Sequence, residues 1–155
     1  MGIRYYAYPL RPDQLGPAHR DPWPFLSGDL LLDARGPARN RPRMLYLDRY
    51  WCELKRLFAP ADDDPRPRMA AELVRGTVGR SGAGWCEAYT AVRGPDAVSA
   101  IAHDLARMKP IDEATAKEIG RPNSTADQVN GYLRRAQDFT AGLARDGLGL
   151  VYLIG

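Results

Sequence analysis

Residues Leu148 to Ile154 read LGLVYLI, apolar at odd and even positions alike. A strand of that composition belongs in the middle of a sheet covered on both sides, because either face left to water would expose a row of large aliphatic groups. The rest of the chain must therefore provide flanking strands and cover for two faces.

Two other stretches suit a sheet. Ile3 to Tyr8 (IRYYAY) is rich in residues that favour a pleated surface, with Ile3, Tyr5 and Ala7 on one face and Arg4, Tyr6 and Tyr8 on a second, half-exposed one. Trp85 to Val92 (WCEAYTAV) alternates, placing Cys86, Ala88, Thr90 and Val92 opposite Trp85, Glu87, Tyr89 and Ala91. Helical spacing marks the remainder. Leu47, Tyr50, Trp51, Leu54, Leu57 and Phe58 form one apolar stripe, with Asp48 as N-cap and Pro60 as the stop, and this segment is expected to be the helix on which the sheet packs. Met69 to Val74 suits one or two helical turns. Gly94-Pro95 opens a helix with the stripe Val98, Ile101, Ala102, Leu105 and Met108. A shorter helix runs through Ile111, Thr115 and Ile119 to Gly120. Ser124 to Asp127 fits a capping box that starts the longest helix, ended by Asp146-Gly147. Strand, three helices and strand make a crossover, which predicts that strands 85–92 and 148–154 run parallel. The expected fold is a mixed α/β (α+β) single domain spanning 1–155, with a small sheet of three or more strands, N- and C-terminal strands included, covered by several helices.

Seven prolines between positions 9 and 43 exclude long regular elements from that stretch, which reads as an arm rich in proline and arginine. A short helix from Pro12 would be cut at Gly16-Pro17, and Asp21 to Leu26 would pin Trp23, Phe25 and Leu26 onto the core. At 155 residues the chain suffices for one core and is short for two. The net charge of +3 arises in the first half, where residues 1–80 carry fourteen basic against ten acidic side chains. Arginine outnumbers lysine nineteen to three, a usage that GC-rich coding gives, so basicity is weak evidence for an anionic partner. No apolar run approaches the ~18 residues of a membrane span and none follows a basic start, so a cytoplasmic protein without membrane contact is expected.

Each candidate chemical centre fails a test of spacing or burial. Gly79-x-x-Gly82-x-Gly84 lacks the lysine and hydroxyl of a phosphate loop and precedes a strand instead of following one. Cys86 falls on an apolar strand face and His103 off its helix stripe, which is a poor arrangement for a thiol and its base. His19, His103, Cys52 and Cys86 are too scattered for zinc, and Asp62-Asp63-Asp64 lacks the spacing and glycine of a calcium loop, so neither metal nor other cofactor is expected. Two groups remain. Trp85, Glu87 and Tyr89 on one strand face suit a binding patch, unless a helix covers it. Arg35, Arg39, Arg41 and Arg43 crowd one loop and would suit phosphates or an acidic protein surface, with Trp23 and Phe25 on the same arm as apolar neighbours. No aromatic platform for bases lies within that loop, so tight binding of generic nucleic acid is not expected.

Three stretches together carry a resemblance: LYLDRYWCELKRLF at 45–58, GAGWCEAYTAVRGPDAVSAIAHDL at 82–105 and YLRRAQDFTAGLARDGLGLVYLIG at 132–155. They are similar, in order and outline, to the YfbM-like family of uncharacterised bacterial proteins, with Arg49 where the family has lysine, Trp85-Cys86 in place of Tyr-Gly, and an arm at 9–43 outside the familiar pattern. The resemblance implies a small α/β domain, with no established activity and no catalytic residues to carry over. The functional expectation is thus a non-catalytic binding or protein-interaction module. Its alternatives are an enzyme or small-ligand binder using the 79–84 loop with the Trp85, Glu87, Tyr89 face, and a nucleic-acid binder using Arg35 to Arg43.

Overall fold

The computed structural model describes residues 2–60, 63–76, 78–80 and 86–155. In chain order its elements are β1 (Tyr5–Leu10), α1 (Leu15–Arg20), α2 (Leu30–Arg35), β2 (Leu45–Asp48), α3 (Trp51–Leu57), β3 (Gly79–Arg80), β4 (Cys86–Glu87), β5 (Tyr89–Arg93), α4 (Pro95–Ala106), α5 (Glu113–Ile119), α6 (Ala126–Arg145) and β6 (Gly149–Ile154). Short 3₁₀ turns at Pro12–Gln14, Trp23–Phe25, Ala38–Asn40 and Met69–Leu73 complete the set.

β6 is buried at every residue, as its composition requires. It lies inside a four-stranded sheet of order β2-β1-β6-β5, and all three pairings are antiparallel. The parallel pairing expected of β5 and β6 is therefore corrected. The reason lies in the helices between them. α4 leaves the sheet beside Gly149, and α6 returns to the same end, with Gln137 Nε2 donating to Leu105 and Met108 carbonyls and Asn130 bonded to Ile111. A chain that goes out along one helix and back along another re-enters the sheet where it left, so its next strand runs in the opposite sense.

Two apolar layers flank the sheet. On one face Tyr5, Ala7, Leu45, Leu47, Leu150, Tyr152 and Ile154 pack with Trp51, Leu54 and Phe58 of the α3 segment, Val98, Ile101 and Leu105 of α4, and Val129, Leu133 and Leu143 of α6. On the other face Tyr6, Tyr8, Leu10, Val92, Val151 and Leu153 lie under the arm, which contributes Leu15, Ala18, Phe25, Leu26 and Leu30. The second face of β1, expected to be half exposed, is buried for this reason. Tyr8 also donates to Asp33 at 3.0 Å, which ties α2 to the sheet. Each large apolar side chain so buried contributes roughly 1.5–3 kcal/mol. The arm is thus a structural layer.

Three local expectations change. Helix 47–60 is shorter: residues 45–48 form an edge strand and only Trp51–Leu57 is helical, with Tyr50 in place of Asp48 at the N-cap. The strand expected over 85–92 is broken at Ala88, where the short β3–β4 pair gives way to β5 in the main sheet. Gly16-Pro17 does not cut the first helix, since α1 spans both residues. Proline is tolerated in a first turn, where its N–H would have no partner.

Candidate functional site

The two groups of expected site residues are placed differently. Trp85, residues 81–84 and the Cys86 side chain lie outside the described residues. Glu87 is exposed, whereas Tyr89 turns inward. Its ring lies 6.1 Å from that of Tyr152, which stacks in turn on Tyr5 at 5.3 Å, and it rests against Gly76, whose φ of +128° and lack of a Cβ permit the approach. Glu87 lies in β4 and Tyr89 in β5, with the strand interrupted between them.

The arginines of the loop are largely committed. Arg35 pairs with Asp48 at 3.2 Å and lies over the Tyr46 ring at 5.8 Å. Arg41 Nε donates to the Gly36 carbonyl at 2.6 Å, and Arg43 pairs with Asp146 at 2.7 Å. Arg39 is exposed and makes no ion pair among the described residues. The fold nevertheless builds a cleft here. Arg41 and Arg43 face Arg135 and Arg145 of α6 across a hollow of about 560 Å³, floored by Leu45, Tyr46 and Phe139 along the sheet edge, with Asp33 and Asp138 as the acidic members. The Tyr46 hydroxyl is buried there without a hydrogen-bond partner among the described residues, and burial pushes its phenol pKa up. Arg135 and Arg145 went unnoticed in the sequence. Their spacing along α6, with Asp138 and Gly142 between them, was the available signal.

A second assembly that sequence reading missed lies at the β2–α3 corner. Asp48 has φ +49°, the only positive φ outside glycine among the described residues, and its carboxylate holds both Arg4 (3.1 Å) and Arg35. In the following helix α3, Glu53 is fully buried. Its Oε1 accepts from Arg121 Nε at 2.8 Å and from the Ser124 hydroxyl at 2.9 Å, while Oε2 has no partner among the described residues. Glu53 thereby ties α3 to the α5–α6 turn. Its proximity to the apolar stripe was the signal that a buried carboxylate with a distant partner would sit there.

No family model matches the sequence, and no curated protein matches it. Among solved structures, the crystal structure of a protein of unknown function, YfbM from Escherichia coli, superposes with a TM-score of 0.54 at 14% identity, covering 99% of both chains. The chain has the YfbM fold. That coverage extends across the arm at 9–43. At 14% identity the likeness concerns architecture, and it agrees with the α/β class expected from sequence. Among the described residues no helix is long and apolar enough to cross a membrane, and no group of three His, Cys, Asp or Glu side chains converges as a metal site.

Proposed function

We propose that the protein is a non-catalytic protein-interaction module whose arm face takes an acidic, partly apolar segment of another protein. The observation that carries this reading is the distribution of exposed apolar groups: of Trp23, Leu31, Leu32 and Met69, the large hydrophobics exposed among the described residues, three belong to the arm. Trp23 is 56% and Leu32 60% exposed, on a layer that otherwise buries its apolar side chains against the sheet. Exposed aromatic and aliphatic groups of this kind are characteristic of protein contact surfaces. The cleft beside α2 supports an acidic partner, since it is lined by Arg41, Arg43, Arg135 and Arg145 against Asp33 and Asp138, with Asp146 holding Arg43 from outside the lining.

The test uses two synthetic extended peptides, one alternating Glu with Leu and one alternating Lys with Leu, titrated by fluorescence anisotropy. Preference for the acidic peptide by about tenfold or more, lost both in Trp23→Ser/Leu32→Ser and in Arg41→Ser/Arg43→Ser, is expected. Equal affinity for the two peptides, or binding that both double variants leave unchanged, overturns the reading.

A further inference from the structure

The geometry points to a second site, independent of the arm: the corner between β2, α3 and the start of α6 is a receptor for the phosphate group of a small molecule. Its central residue is Arg121. Nε of that side chain is held on buried Glu53, and the guanidinium lies over the Tyr50 ring at 5.1 Å; Tyr50 is itself stacked on Tyr132 at 4.5 Å. Fixed by one nitrogen and by one face, the guanidinium plane is pre-oriented, and its two terminal nitrogens donate to no acceptor among the described residues. That is a fork prepared for a bidentate oxyanion, with little side-chain entropy left to lose on binding.

The surroundings fit the same ligand. Arg121 lines a cleft of about 440 Å³ together with Arg49, Tyr50, Asn123 and Gln128. Arg49 is exposed and makes no ion pair among the described residues, whereas Asp48, the carboxylate lining the cleft, is already bound by Arg4 and Arg35. Arg49 and Arg121 are thus the cations of the cleft lining, and Asp48 is neutralised by Arg4 and Arg35 from outside it. Two guanidinium groups lining one cleft suit a phosphate monoester, which carries nearly two negative charges at neutral pH and offers three acceptor oxygens. The amides of Asn123 and Gln128 supply further donors. A cleft of this volume takes a small molecule. The left-handed Asp48 is the kind of backbone strain that the surrounding structure over-determines at a binding corner.

The experiment titrates the full chain with inorganic phosphate, at constant ionic strength set with chloride, following amide NMR shifts and heat of binding, with acetate in a parallel titration. Saturable phosphate binding with Kd on the order of 1–10 mM is expected, shifting the amides of Arg49, Asn123 and Gln128, with acetate about tenfold weaker or worse. Arg121→Lys, which keeps the charge and loses the fork, weakens phosphate at least about tenfold. Arg49→Ser lies on the exposed rim, leaves the Glu53–Arg121 bond in place, and weakens phosphate several-fold with an unchanged melting temperature. No saturation below roughly 50 mM phosphate, or equal phosphate affinity in wild type and Arg49→Ser, overturns the site.

Discussion

Glu53 and its neighbour Cys52 show how one turn of helix sorts adjacent side chains into opposite chemical settings. Glu53 is buried with a guanidinium and a hydroxyl on one oxygen, and Cys52 is a half-buried thiol. Burial first, and the Glu53 carboxylate second, push the Cys52 thiol up from its ordinary range. Both causes disfavour the thiolate, so at any pH below the raised value less of the nucleophilic form is present than in a free thiol. In a Cys86→Ser protein, iodoacetamide is therefore expected to alkylate native Cys52 more slowly than glutathione at about pH 8, with the rate still rising at higher pH. A rate equal to that of glutathione would show that the residue is open and unperturbed.

At the scale of elements, the start of α6 is decided by a competition between two adjacent hydroxyls. Ser124-x-x-Asp127 and Thr125-x-x-Gln128 both satisfy a capping pattern. The second forms: Thr125 accepts from the Gln128 N–H, and the Gln128 side chain accepts from the Thr125 N–H. The Ser124 side chain is instead turned to Glu53, 71 positions earlier in the chain, to which its hydroxyl donates. Thr125→Ala is accordingly expected to cost about 1 kcal/mol through loss of the cap. Ser124→Ala should cost about 1.5–3 kcal/mol, since it removes a buried bond to a charged acceptor. Denaturant melts that rank the two the other way would return the cap to Ser124. α3 is short, yet Leu54 and Phe58 are fully buried and Trp51 nearly so, with its indole N–H donating to the Ile3 carbonyl. Trp51→Ala or Leu54→Ala is expected to destabilise the fold by roughly 3–5 kcal/mol. A loss under about 1 kcal/mol would mark the helix as peripheral.

For the molecule as a whole, the arm combines two roles that are usually separate, covering one face of the sheet while presenting Trp23, Leu31 and Leu32 outward. Its arginines add little to stability. The Arg35–Asp48 and Arg43–Asp146 pairs involve arginines that are 55% and 43% exposed, and pairs of that kind contribute about 0–1 kcal/mol. Replacing Arg35, Arg39, Arg41 and Arg43 together by serine should hence leave the melting temperature nearly unchanged. The same commitments leave few free cations for a polyanion, and a phosphate backbone must displace several ion pairs to bind. Association with random-sequence DNA or RNA is expected to be weak and erased by salt. Sub-micromolar affinity at about 0.15 M salt, measured by anisotropy, would instead place nucleic acid first among the partners.

Composition and periodicity alone determined the central burial of Gly149 to Ile154, the α4 stripe, the stop of α5 at Gly120 and the mixed α/β class. Each follows from which atoms water rejects within a few residues, and that information is local. The antiparallel sense of β5 and β6 was decided by the return of α6 along α4, a contact between segments far apart in sequence. The strand at residues 45–48 shared its apolar spacing with a helix, and only pairing with β1 settled which would form. The arm's cover over Tyr6 and Tyr8, and the convergence of Asp48, Glu53, Arg121 and Ser124, likewise depend on tertiary contacts. A charged side chain's partner is fixed by where the backbone carries it after the apolar faces have packed, and nothing in the neighbouring residues encodes that position.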